Sequence, residues 1–84
     1  GSAEVGKEIY AKAGQTPDGQ IWLKCVVAEM GGKDFMFIDE DADIDAAVAG
    51  SHAAGFGYSG QKCSALSRLI LHSKIHDEFM EKFL

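Results

Sequence analysis

The sequence predicts an α/β fold in which about three short strands alternate with three helices, and three observations carry that prediction. Short, continuously apolar runs rich in β-forming residues fall at positions 21–28, 35–38 and 66–71, and between them apolar residues recur at helical spacing. The runs are apolar on nearly both faces, which suits parallel strands covered on two sides. The apolar share is 46%, with ten glycines and a single proline, too apolar for a disordered tail. Eighty-four residues make at most one small, marginally buried core, and three strands with three helices cannot cover both faces of a parallel sheet. The chain opens in a glycine turn and closes on an apolar helix, so it is expected to be an internal piece of a longer protein.

Taken in order, Val5, Ile9, Tyr10 and Ala13 share one helical face, with Ser2 suited to the N-cap and Gly14 to the stop. Residues 15–20 contain Pro17, Asp18 and Gly19 and are expected to be a loop. IWLKCVVA, residues 21–28, is expected to be a buried strand ending at or just before Glu29. Gly31 and Gly32 break the backbone, and residues 35–38 supply a second strand. Ile44, Ala47, Val48 and Ser51 follow i, i+3, i+4, i+7 spacing, with Asp41 or Asp43 available as a cap, so a helix should run to about Ala54. GFGYSG, residues 55–60, is too glycine-rich for regular structure and leads straight into Cys63. A third strand over 66–71 and a helix carrying Ile75, Phe79, Met80 and Phe83 complete the pattern.

Charge and cysteine usage narrow the function. The net charge of -5, with acid crowded into Asp39, Glu40, Asp41, Asp43 and Asp45, gives no electrostatic reason to expect nucleic acid or an anionic membrane as partner. The apolar runs are far too short to span a bilayer, and the N-terminus lacks a signal-peptide pattern, so a cytoplasmic or mitochondrial-matrix protein is expected. Cys25 and Cys63 form no disulfide framework, and reduced thiols are the default. No metal site is expected, because His52, His72 and His76 match no zinc spacing.

Three short motifs carry chemistry. GSAEVG, residues 1–6, opens a helix with two glycines, a pattern common at ordinary turns that also lets a dinucleotide approach the backbone. AEMGGKD, residues 28–34, puts Glu29 at the end of an apolar run before a Gly-Gly turn. A surface acid is the ordinary reading, and a partly buried base that takes a proton from water is the functional one. GQKCSA, residues 60–65, sets a thiol just after a glycine loop, where Lys62, or a helix N-terminus if one formed there, would favour the thiolate. An inert packing cysteine is the alternative.

The order of these motifs, with Glu29 about two dozen residues after the glycine turn and Cys63 about thirty further, resembles the aldehyde dehydrogenase superfamily across essentially all of the chain, including IDEDADIDAAV and SRLILHSKIHDEF. The forms AEMGGKD and GQKCSA are most similar to the branch that oxidises L-glutamate γ-semialdehyde. The resemblance implies that Cys63 is the catalytic nucleophile and Glu29 the base for the deacylating water. It also implies that Gly1, Ser2, Val5, Gly6, Glu29 and Gly31 line the site of NAD, or NADP. On this reading residues 1–30 end a dinucleotide-binding portion and residues 31–84 begin the thiol catalytic portion. The substrate is then a small aldehyde and the parent a homo-oligomer. The isolated chain should be inactive, because the family's oxyanion-hole Asn and ribose-binding Glu fall outside it. Cys25 departs from the family, whose corresponding strand more often carries Arg, and is expected to be a packing residue. The competing expectation is a non-catalytic binding or oligomerisation module that kept this sequence pattern.

Overall fold

The computed structural model describes residues 1–84. Helix α1 spans Ala3–Ala13, strand β1 Asp34–Ile38, helix α2 Ile44–Phe56, strand β2 Leu66–Leu71 and helix α3 His76–Phe83, with a short 3₁₀-type turn over Gly57–Gly60 ahead of β2. The chain divides into two compact units, Gly1–Gly31 and Gly32–Leu84.

In the first unit α1 starts where the Ser2 side chain accepts the Val5 N–H at 3.3 Å, leaving Ser2 itself extended. Glu8 and Lys12 pair one turn apart at 2.6 Å on its exposed face. The helix stops at Gly14, as the sequence predicts, but Gly14 keeps a right-handed conformation and bonds back to Tyr10 and Lys12 instead of making a left-handed turn. A tight turn follows, with Gln20 N–H donating to the Pro17 carbonyl at 3.1 Å and Gly19 at φ +87° in its third position, where only glycine is unstrained.

Residues 21–28 are the principal correction. The expected strand is not formed, and the sheet has two strands, not three. Strand hydrogen bonds run between neighbours, and the first unit contains no second strand for this segment to pair with. Ile21, Trp22, Leu23 and Val27 consequently stay 79–85% exposed, and no residue of the first unit is buried.

The second unit holds the core. Strands β1 and β2 pair in parallel from Asp34↔Leu66 to Ile38↔Leu71, a geometry that requires a long crossover, here supplied by α2. The register slips between Asp34 and Phe35, so that Phe35 faces Arg68 and Ser67 is the extra residue of a bulge. Asp43 caps α2 by accepting the Ala46 N–H at 3.1 Å, which settles the choice between Asp41 and Asp43. Helix α2 runs through Phe56, two residues beyond the expected end, so Gly55 and Phe56 of GFGYSG are helical and only the remainder leaves regular structure. Ile38, Ile75 and Phe79 are buried, and Met36, Ala47, Val48, Leu69 and Leu71 pack around them. Ser51 is fully buried on α2, and its hydroxyl donates to the Met36 sulfur at 3.3 Å.

Candidate functional site

The residues expected to line a cofactor all lie in the first unit. The Gly1 nitrogen lies 2.8 Å from the Glu29 carbonyl oxygen, and the Gly6 N–H donates to the Ser2 carbonyl at 3.0 Å. Around this turn lies a groove of about 130 Å³ lined by Gly1, Ser2, Val5, Gly6 and Glu29 together with Ile9 and residues 26–28. The structure therefore brings five of the six expected cofactor residues together, while Gly31 does not line the groove. A side chain at Gly6 would meet the Met30 sulfur at 2.8 Å, so glycine there lets α1 lie close to the Met30 side chain. At the start of α1 the Ser2 side chain accepts the Val5 N–H, and a helix start of this kind presents N–H groups suited to an anion or a polar ribose edge. Polar Ser2, bare glycine backbone and a helix start fit one edge of a dinucleotide. Glu29 is exposed, as in the surface-acid reading and unlike the partly buried one, because nothing in its own unit covers the end of the unpaired segment.

The thiol belongs to the second unit. Phe56 leads into the turn Gly57–Gly60, where Tyr58 (φ 52°) and Ser59 (φ 56°) both adopt the left-handed conformation that is costly for residues with a side chain. Gly60 follows at φ +70°, and a side chain on it would meet the Gly55 carbonyl oxygen at 3.0 Å. The backbone thus reverses over three consecutive left-handed residues to deliver Cys63 ahead of β2. Cys63 does not open a helix, and the charge of a helix N-terminus is not at the sulfur. It sits exposed in a turn closed by the Ala65 N–H donating to the Lys62 carbonyl at 3.2 Å. That turn bond leaves the Cys63 N–H uncommitted to it. The Lys62 ammonium lies 4.9 Å from the centre of the Tyr58 ring and so has an aromatic partner of its own.

On the β1 side, the Cys63 carbonyl lies where a side chain on Gly32 would be, 2.5 Å from that position. Arg68 reaches back from β2 to donate to the Lys33 carbonyl at 2.8 Å, and its guanidinium stands 5.8 Å from the Phe35 ring centre. Sequence reasoning missed Gly32 and Arg68. The Gly-Gly pair signals only a turn, and nothing local tells which of its glycines another peptide group approaches. The three histidines are engaged elsewhere. His52 stacks on Phe83 at 4.5 Å, His72 accepts the Lys74 N–H at 3.3 Å, and His76 meets Asp77 at 2.9 Å.

The aldehyde dehydrogenase family profile matches residues 1–84 without remainder. The chain belongs to the aldehyde dehydrogenase family. It is 52% identical over 82 residues to the 1-pyrroline-5-carboxylate dehydrogenase of Bacillus subtilis, covering 98% of this chain and 16% of that protein. The Bacillus cytotoxicus protein of the same name is 48% identical with the same coverage. Among solved structures, proline utilization A of Bdellovibrio bacteriovorus superposes with a TM-score of 0.89 at 44% identity, over 98% of this chain and 9% of that one. A variant of the Thermus thermophilus 1-pyrroline-5-carboxylate dehydrogenase superposes with a TM-score of 0.85 at 45% identity, over 98% and 16%. The chain thus spans about one sixth of the length of the curated relatives it matches. No helix in it is long and apolar enough to cross a membrane.

Proposed function

We propose that these residues are the catalytic segment of an NAD(P)-dependent dehydrogenase that oxidises L-glutamate γ-semialdehyde to glutamate in proline breakdown. The observation that carries the reading is the ordered trio of GSAEVG, AEMGGKD and GQKCSA in a chain 52% identical to a 1-pyrroline-5-carboxylate dehydrogenase. Residues 1–30 then close the dinucleotide-binding portion and residues 31–84 open the catalytic one. A cytoplasmic or mitochondrial-matrix homo-oligomer goes with it, and the isolated 84-residue chain is expected to be inactive.

In this mechanism the Cys63 sulfur, as thiolate, adds to the aldehyde carbon, and the carbonyl oxygen becomes an oxyanion. The Cys63 N–H donates to that oxyanion, and one well-placed donor of this kind contributes about 3–4 kcal/mol to the transition state. Gly1, Ser2, Val5 and Gly6 would hold NAD(P), which when bound would supply the hydride acceptor for the aldehyde carbon. Loss of hydride leaves the acyl group on sulfur as a thioester. Glu29 removes a proton from water, the resulting hydroxide attacks the thioester carbon, and the carbon–sulfur bond breaks to release the acid and the thiolate. Cys63→Ala in the full-length protein is expected to abolish NAD(P)H production, and parental turnover by that variant would refute the assignment. Glu29→Gln is expected to keep a first burst of NAD(P)H equal to one per site while slowing the steady state by about 10²–10⁴-fold.

A further inference from the structure

We propose that Gly32 is a positioning residue for the Cys63 thiol, with the bare Cα of Gly32 forming the seat on which the Cys63 peptide group rests; this rests on the reading of Cys63 as nucleophile.

Two independent features lead there. A side chain on Gly32 would stand 2.5 Å from the Cys63 carbonyl oxygen and 3.3 Å from an Asp34 carboxylate oxygen. The first of these is a contact with backbone, which cannot swing aside as the tip of a flexible side chain does. The segment that carries Gly32 is also held firmly. Asp34 pairs with Leu66 in the ladder, and the Arg68 guanidinium grips the Lys33 carbonyl at 2.8 Å. A retreat of Gly32 from an added methyl group works against the Asp34–Leu66 pairing and the Arg68 bond to Lys33. The peptide of Cys63 moves instead. On its other side Cys63 follows the left-handed reversal at Tyr58, Ser59 and Gly60, which makes no strand pairing.

A shift of the Cys63 carbonyl reaches the chemistry through the Cys63 Cα. The Cys63 Cα, which bears the CH₂–S group that attacks, joins the peptide whose carbonyl meets Gly32 to the preceding peptide, whose N–H is the donor assigned to the oxyanion. Moving it by the few tenths of an ångström to an ångström that a methyl group demands displaces nucleophile and donor together. A misplacement of about 1 Å costs up to on the order of a hundredfold in rate. The substrate's remaining contacts are not made by this peptide, so binding of the aldehyde should change little.

The test uses the full-length protein and reads the thiol as well as turnover. Gly32→Ala is expected to lower kcat by about 10–100-fold with the KM for the semialdehyde within about threefold. Iodoacetamide alkylation of the Cys63-containing peptide, followed by mass spectrometry without cofactor, should slow several-fold in the same variant. Gly50→Ala, a glycine on α2 with open space where its side chain would go, should leave both rates at parental values. Should Gly32→Ala fail to fold, Arg68→Gln loosens the same seat without adding volume and is expected to alter Cys63 alkylation and lower kcat. Parental alkylation in the folded variant overturns the proposal, whether or not turnover has fallen, because a merely structural role would leave the thiol alone. Failure of the nucleophile assignment is separate, since it shows as turnover by Cys63→Ala and leaves the effect of Gly32 on alkylation intact.

Discussion

Phe79 concentrates the stability of the second unit in one side chain. It is fully buried, stacks on Phe83 at 5.5 Å, and shares the core with Ile38 and Ile75. Truncation removes its transfer free energy and leaves a cavity that a two-stranded sheet and two helices cannot close. Phe79→Ala is expected to cost about 3–5 kcal/mol, measured as a lowered urea midpoint without loss of slope. An effect under about 1 kcal/mol would mean that the site collapses around the missing ring.

At the scale of elements, the connection between α2 and β2 is shaped by backbone conformation, with Ala65 buried at its end. Gly60 combines φ +70° with a tight approach to the Gly55 carbonyl oxygen, so an alanine there meets both a steric clash and a left-handed penalty. Gly60→Ala is expected to destabilise by about 1–2 kcal/mol and to lower turnover, while Ser59→Gly, which relieves a left-handed residue, should not destabilise. Thermal unfolding of the two variants side by side checks the sign. Helix α3 is tied to α2 by Lys82, whose ammonium donates to Asp45 at 2.7 Å and lies 3.7 Å from Glu78. The hydrogen bond to Asp45 is the main reason its pKa is raised above the ordinary 10.5, with the charges of Asp45 and Glu78 adding to it and desolvation opposing. The folded form thus holds the proton more tightly than the unfolded chain does. Its stabilising effect is complete below about pH 10.5 and is lost as pH rises through the raised value. The pair is exposed and screened, so Lys82→Met should lower the melting temperature only slightly near neutral pH, with the gap to parent closing on the alkaline side.

For the whole molecule, the two units differ in what they bury. The second has a core, whereas the first leaves Ile21, Trp22, Leu23 and Val27 in solvent along an extended, unpaired backbone. Such a segment is a template for pairing with another strand. The isolated 84-residue chain is expected to self-associate with rising concentration, and Trp22→Lys to reduce that association in light scattering. A parental chain that stays monomeric at high concentration would contradict this.

Much of this was legible in the sequence. Local signals determined α1 with its Ser2 cap, the β1–α2–β2–α3 order and the apolar residues of the core, because caps and periodicity act over a few residues. Motif order likewise determined the family and singled out Cys63 and Glu29 as the residues to test. The run at 21–28 has the composition of a strand but no partner in its own unit, and pairing is a property of two segments, which no local pattern contains. Only the tertiary structure decided that Asp43 and not Asp41 caps α2, that Cys63 leaves a left-handed reversal instead of opening a helix, and that Gly32 rather than Gly31 lies under the Cys63 carbonyl. Each of these depends on which distant backbone comes within contact distance, a matter of packing in space that the order of residues along the chain does not specify by itself.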